Sequence, residues 1–452
     1  MDVSMLRRIR NLAVDIMAAF ILDREARHAF RDKYKKKSDY RKLKDLYNQL
    51  VNENDVLKSQ QKSQSYEIKH LLERNRELSF GKNFLELSIL RNTKNPVYHF
   101  SLLSFGNAGD NMLVYALQKS IKQCMPGINF IDRYGRIPLN DLDIHLINQS
   151  KAFVFGGHGA MLKDVFKNER IGWQFPATAE QIGQIEVPIF ILAVGYNRFR
   201  GQEDFSSVFR ENINAVVRKS KFVGLRNNGS IRSLKEYLDD DIKDNVKFHP
   251  CATTIISKIY DMPKINTGED AFIAINSAFD RSEMRFGNRK EEIMKAIAKV
   301  ALKLSERYRI KYYVHMQKEL EMLSYFDEQG LEYEAVKLYG TYLTEQRFLE
   351  IYSAPAMVMG MRGHSLMIPF GCNTPILSIT CHEKQTWFLE DTGHPEWGVD
   401  VMDLDFEDRL LGTANQILDN LDEVKRQIAQ AQDRFYDITV RNLEFIAGCM
   451  DI

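Results

Sequence analysis

The feature that most constrains this 452-residue sequence is a repeated alternation: short, almost wholly apolar runs, each closed by glycine, histidine, asparagine or arginine and then by a helical pattern. Residues 97–103 read as such a strand, followed by the turn Ser104-Phe105-Gly106-Asn107-Ala108-Gly109-Asp110-Asn111 and a helix over 112–123. Residues 152–155 end in Gly156-Gly157-His158-Gly159 and residues 188–194 in Gly195-Tyr196-Asn197. Residues 222–225 end in Arg226, ahead of a helix over 231–238 that Ser230 is placed to cap. Apolar runs of this length without polar alternation are strands covered on both faces. Strands alternating with helices give a parallel sheet, so the expected class is α/β. In such sheets ligands bind beyond the carboxyl ends of the strands, where several loops share one crevice.

A polar stretch at 261–268, with Pro263, Asn266 and Gly268, marks a boundary, after which the alternation starts again. Strands are expected at 271–275 and 311–314, with helices at 290–308, near 318–329 and at 344–353. Residues 356–380 then read as strand 356–361, the turn Arg362-Gly363-His364-Ser365, helix 366–371 and strand 375–379. An arginine and a histidine at a strand end, ahead of a helix N-terminus, suit an anion. The competing reading is that Arg362 caps a carboxylate and His364 is a satisfied, half-buried histidine. Residues 406–450 read as closing helices.

Upstream the texture differs. Met5, Ile9, Leu12, Ile16, Phe20 and Ile21 recur at helical spacing, and Arg24, Arg27, Arg31, Lys33, Lys35, Lys36 and Lys37 follow them. This amphipathic basic segment is expected either to lie on an anionic membrane surface or to pack on the body of the protein. Leu43, Leu50, Leu57, Leu71 and Leu78 share one heptad position, with Asn54 and Asn75 at the facing one. That pattern predicts a coiled coil and a homo-oligomer; a single polar helix folded back on the body is the alternative. The chain accordingly divides at 1–38 (basic helix), 39–90 (coiled coil), 91–265 and 266–400 (two α/β domains), and 401–452 (closing helices).

Charge is balanced, with 62 Lys and Arg against 61 Asp and Glu for a net charge of +1, so no nucleic-acid partner is expected. The five cysteines are scattered without a C-x-x-C pair, which argues for reduced thiols and against a metal centre. No apolar run approaches the roughly 20 residues of a membrane span. No cleavable signal is expected, because Asp15 interrupts the apolar stretch. A cytoplasmic protein, peripheral on the inner membrane face if the basic helix binds lipid, is the expectation.

The segments GNAGD at 106–110, GGHG at 156–159, GLRNNGS at 224–230 and MRGHSLMIPFGCNTPILSI at 361–379 together resemble the polysaccharide pyruvyl transferases over roughly residues 97–400. The resemblance implies two Rossmann-like domains in a GT-B-like arrangement. It also implies transfer of the pyruvyl group of phosphoenolpyruvate to a saccharide hydroxyl, as a ketal or an enol ether, with release of phosphate. Donor-binding positions fall on Arg226, Arg362, Gly363, His364 and Ser365, with Arg226, Arg362 and His364 in catalytic roles. Two guanidinium groups suit a donor with a phosphate at one end and a carboxylate at the other. His364 suits proton transfer to the methylene carbon. Such a scheme demands neither a metal nor a redox cofactor. On the acceptor side the expected residues are Gly106, Asn107, Gly109, Asp110, His158 and Asn197; His158 interrupts a turn that is commonly all glycine in the family. The acceptor would be a saccharide, lipid-linked or nucleotide-linked. Two other functions fit the same segments: a GT-B glycosyltransferase using a nucleotide sugar, with Glu383 or Asp391 on the ribose, or a non-catalytic assembly protein at the membrane.

Overall fold

The computed structural model describes residues 24–34, 85–103, 108–163, 169–264, 271–340 and 343–450. The chain forms two compact units, Met1–Glu86 and Leu87–Ile452. Within the first, the basic cluster expected to trail a helix is itself helical from Arg24 to Tyr34. The amphipathic segment at 5–21 and the heptads at 43–78 lie outside the described residues. No described helix is long and apolar enough to cross a membrane.

The second unit holds two six-stranded parallel sheets. The first is built from β1 (Pro96–Ser101), β2 (Asn129–Tyr134), β3 (Ala152–Gly156), β4 (Ile189–Val194), β5 (Phe222–Leu225) and β6 (Val246–Phe248), in the order β2-β1-β3-β4-β5-β6. The second comprises β7 (Phe272–Asn276), β8 (Arg309–Val314), β9 (Tyr333–Lys337), β10 (Met357–Gly360), β11 (Ile376–Thr380) and β12 (Gly398–Asp400), in the order β12-β11-β10-β7-β8-β9. Strand order reverses between β1 and β3 in one lobe and between β7 and β10 in the other. Each reversal opens a crevice at the strand ends because the flanking helices leave in opposite directions. The central strands β3, β4, β5, β7, β10 and β11 are buried at every residue, as their unbroken apolar runs require.

Local chemistry refines several boundaries. The helix after β5 starts at Asn228, capped by Asn227, whose side chain accepts from Ser230 N. Ser230, expected as that cap, instead accepts from Tyr196 N at 3.0 Å and so ties the β4 loop to this helix. His364 is the first residue of the helix His364–Gly371 and not part of the preceding turn. The ladder between β4 and β5 slips between Ile191 and Val194, where Ala193 takes a left-handed φ of 52°. A bulge of this kind re-aims the strand end, and such strain gathers at functional sites.

The closing helices divide their work. Phe406–Asp419 packs on Lys290–Ser305 in the second lobe, while Leu421–Gly448 returns to the first. There Asn442 donates to Phe248 O at 2.9 Å and Ser257 to Gln432 at 2.6 Å. Ile428, Phe435, Leu443 and Ile446 on the same helix are buried. At about 1.5–3 kcal/mol for each buried apolar side chain, this packing outweighs the exposed Lys258–Asp433 pair, worth under about 1 kcal/mol.

Candidate active site

The strand ends of both sheets open onto one cavity of about 550 Å³. Its charge is lopsided: Arg136, Arg226, Arg281, Arg285, Arg362 and Lys384 line it against Asp110 and Asp280.

The second lobe supplies a dense wall. Arg362, at the end of β10, donates through Nε to Glu319 and through Nη2 to Asp280 Oδ1 at 2.8 Å. Glu319, fully buried after β8, also accepts from His315 N at 2.6 Å and Asn276 Nδ2 at 3.1 Å. Burial pushes the Glu319 carboxyl up and Arg362 pulls it back. Because both of its oxygens accept N–H bonds, the ionised form is the one that fits. Asp280, in the turn after β7, accepts at Oδ2 from Arg285 Nη2 at 3.0 Å. Burial opposes its ionisation, but Arg362 and Arg285 outweigh burial and hold its carboxyl far below the usual range. Arg281 stands beside it in a left-handed conformation, φ 53°. Arg281 and Arg285 lie over the ring of Phe199, 5.3 and 5.1 Å from its centroid, and Phe199 meets His382 edge-on at 4.3 Å. A first-lobe aromatic thereby closes against the second-lobe cations. Lys384 begins the helix Glu383–Thr392; burial, with Arg226 and Arg285 nearby, pushes its ammonium well below the ordinary lysine value. Among the described residues no side chain hydrogen-bonds its Nζ.

The first-lobe wall is sparser. Arg226 is 6% exposed, and its Nη2 donates to Asn197 Oδ1 at 3.1 Å. Its Nε is buried without a partner among the described residues. Burial lowers its pKa from the ordinary arginine value, with Cys251 and Asp110 acting the other way; an arginine so placed remains a cation. A Cβ on Gly195 would overlap the Arg226 guanidinium and one on Gly159 the Asn197 amide, so a side chain at either position would displace those groups.

His364 sits where the lobes meet. Its Nδ1 is 3.6 Å from Asp110 Oδ1, and a Cβ on Gly109 would lie 2.5–2.8 Å from the imidazole and its Cβ. Burial, then Arg226, Lys384, His315 and Arg362, push its pKa well below the ordinary histidine value. These neighbours favour a neutral imidazole at the head of the helix. An incoming anion would raise its proton affinity, by the same Coulomb argument with the sign reversed.

The cavity thus gathers Arg226, Arg362, Gly363, His364, Asp110 and Asn197 from the sequence-derived set. Ser365 is fully buried and locks the turn, donating to Arg362 O at 2.8 Å and accepting from Arg362 N at 3.1 Å. Gly109 backs His364. His158 is fully buried, its Nδ1 2.9 Å from Gly156 O, and it does not line the cavity. Gly106 and Asn107 lie outside the described residues. Arg136, Asp280, Arg281, Arg285, Glu319 and Lys384 were not singled out in sequence, although each follows a strand. Asp280 and Arg281 follow the apolar run of β7, and Lys384 that of β11, so the strand-end rule reaches them; β2, which leads to Arg136, is a partly exposed edge strand with no such run.

Two Rossmann-like lobes that share one cationic cleft define a GT-B-like protein. Residues 107–383, well over half the chain, match the family model for polysaccharide pyruvyl transferases, and the chain belongs to that family. Among solved structures, the Staphylococcus aureus MnaA–UDP complex is similar at a TM-score of 0.50 and 13% identity, covering 80% of this chain and 98% of that one. Anabaena Alr3699/HepE, in complex with UDP and glucose, has a TM-score of 0.48 and 9% identity, covering 78% and 98%. At such identities the likeness is one of fold. Among curated proteins none matches.

Proposed function

We propose that this protein transfers the pyruvyl group of phosphoenolpyruvate to hydroxyls of a surface-polysaccharide saccharide, forming a pyruvate ketal and releasing phosphate. The observation that carries the reading is a cleft lined by Arg136, Arg226, Arg281, Arg285, Arg362 and Lys384 with His364 between its two walls, 3.6 Å from Asp110. Arg226, with an unused Nε, and Lys384, with no bonded side chain among the described residues, offer donors to the phosphate and carboxylate ends. Their charges, and the first N–H groups of the helix at His364, bring the donor's methylene carbon towards His364. The bound donor raises the proton affinity of His364, which takes up a proton from solvent and delivers it to that carbon. The first sugar hydroxyl adds to the adjacent carbon and loses its proton, for which Asp110 is the nearest carboxylate to His364. The second hydroxyl adds as the carbon–oxygen bond to phosphate breaks; phosphate leaves with the electron pair and takes up the second hydroxyl's proton, departing as the hydrogen phosphate dianion. Stabilising the departing dianion falls to the arginines and Lys384.

For a nucleotide-sugar donor the ribose would need a free carboxylate. Asp391 instead accepts from Asn228 N and Nδ2 at 3.0 and 2.8 Å, and Glu383 is exposed outside the cavity. As acceptor we propose a saccharide carried on lipid, which the basic segment and heptads read in the sequence of residues 1–90 would bring to paired copies at a membrane surface. The deciding experiment incubates the protein with phosphoenolpyruvate and crude bacterial glycolipid, following phosphate release and acceptor mass. A gain of one pyruvyl unit, lost in His364→Ala with donor binding largely kept, is the expected result. A hexose gain from nucleotide sugars instead would replace this reading.

A further inference from the structure

The cleft contains its own anion. Asp280 lines the cavity and spans two of its arginines, Oδ1 to Arg362 at 2.8 Å and Oδ2 to Arg285 at 3.0 Å, with Arg281 Nη1 at 3.6 Å. One further carboxylate, Glu319, takes the Nε of Arg362 from behind. Asp280 therefore does what a ligand phosphate would do, accepting from adjacent guanidinium groups across a cleft wall. Structural need alone does not explain its position: Glu319 already anchors Arg362 in the buried layer, whereas Asp280 is 24% exposed and faces the cavity.

The consequence concerns release as much as binding. A phosphate ester enters this cleft and free phosphate leaves it, so a wall of uncompensated cations that gripped the first would also trap the second. Resting on the functional reading above, we infer that Asp280 is a built-in counter-anion that limits how tightly the cleft holds a phosphate dianion, and so determines how fast that product departs. Any entering phosphate shares Arg285 and Arg362 with Asp280 and is repelled by it. Removing one negative charge at about 5 Å, in surroundings of intermediate dielectric, strengthens anion binding by about 10- to 100-fold.

The sign of this effect separates it from structural damage, which weakens binding. The test measures inorganic phosphate binding to the full-length protein by calorimetry and by phosphate-dependent rise in melting temperature, for wild type, Asp280→Asn and Asp280→Glu. Asp280→Asn should bind phosphate about 10- to 100-fold more tightly and show stronger product inhibition, with both KM for the donor and kcat reduced. Asp280→Glu, which keeps the charge, should stay close to wild type. Phosphate binding to Asp280→Asn that is unchanged or weaker overturns the inference, as does equal tightening in Asp280→Glu or an absence of phosphate binding in all three. If Asp280→Asn folds poorly, its melting temperature should still rise more steeply with phosphate than that of wild type, and a shallower rise counts against the idea. Wild-type protein that binds phosphate but moves no pyruvyl group overturns the functional reading and not this one.

Discussion

The two walls of the cleft carry the same residue type in opposite electrostatic settings. Arg362, in the second lobe, meets two carboxylates, whereas Arg226, in the first, meets one neutral amide and keeps a buried, unused Nε. A guanidinium that is already satisfied is fixed in place and holds its neighbours; one that is under-satisfied is poised for a ligand. On the proposed function, the contrast gives Arg362 a positioning role for the His364 turn besides its share in holding the donor, and gives Arg226 a binding role, although the two look alike at their strand ends.

Substitution should break the contrast most visibly at Arg362. Arg362→Ala leaves buried Glu319 without its cation and Asp280 with only Arg285 and Arg281, a loss of about 3–5 kcal/mol in stability together with loss of turnover. Denaturant unfolding checks the first and the transfer assay the second; a variant as stable as wild type would mean the pair is not a scaffold. Arg226→Ala removes a desolvated cation that has no carboxylate partner among the described residues. It should leave the unfolding midpoint near wild type while weakening donor binding by about 10- to 100-fold, the equivalent of one or two charge-assisted hydrogen bonds.

Acid should treat the lobes alike. Burial holds His158 in the first lobe and His315 in the second down to about 3, and His249 down to about 4, below the unfolded value of 6.5. A base whose folded pKa is lowered contributes stability fully above its unfolded pKa and loses it as pH falls, because the unfolded chain takes up the proton first. Each of the three should cost about 2 kcal/mol at pH 5. Melting temperature between pH 7 and 5 reads this out, and a flat profile contradicts it. The smallest effect belongs to Arg200→Ala. Its bidentate pair with Asp400 joins the lobes at a partly exposed site, at 3.1 and 2.5 Å, and should contribute under about 1 kcal/mol, within error in chemical denaturation.

What the sequence made legible follows the same physics. Strands buried on both faces announce themselves as apolar runs, so β3, β4, β5, β7, β10 and β11 were all anticipated, and with them the turns bearing Arg226 and Arg362. The edge strands β2, β6, β9 and β12 were not. Their exposed residues carry polar side chains, as in Asn129–Tyr134 and Tyr333–Lys337, and give no apolar run to read. Partnership was the other hidden quantity. Nothing in the letters 317–321 or 280 says that Glu319 and Asp280 would converge on Arg362, because their proximity depends on β7, β8 and β10 lying side by side. The resemblance in GNAGD and MRGHS located the cleft, yet only the register of the sheets separated Ser365, a turn lock, from Lys384, a cavity residue.

The helix Leu421–Gly448 has a bearing on synthesis. The first lobe is complete in its strands once Phe248 has been made, but the surface around Phe248, Ser257 and Lys258 waits for a helix that leaves the ribosome long afterwards. Until then the half-covered lobe carries apolar groups meant for Phe435 and Leu443. The order of translation thus leaves the first lobe finished last, and a nascent chain stalled before residue 421 is the form in which this protein has most need of a chaperone.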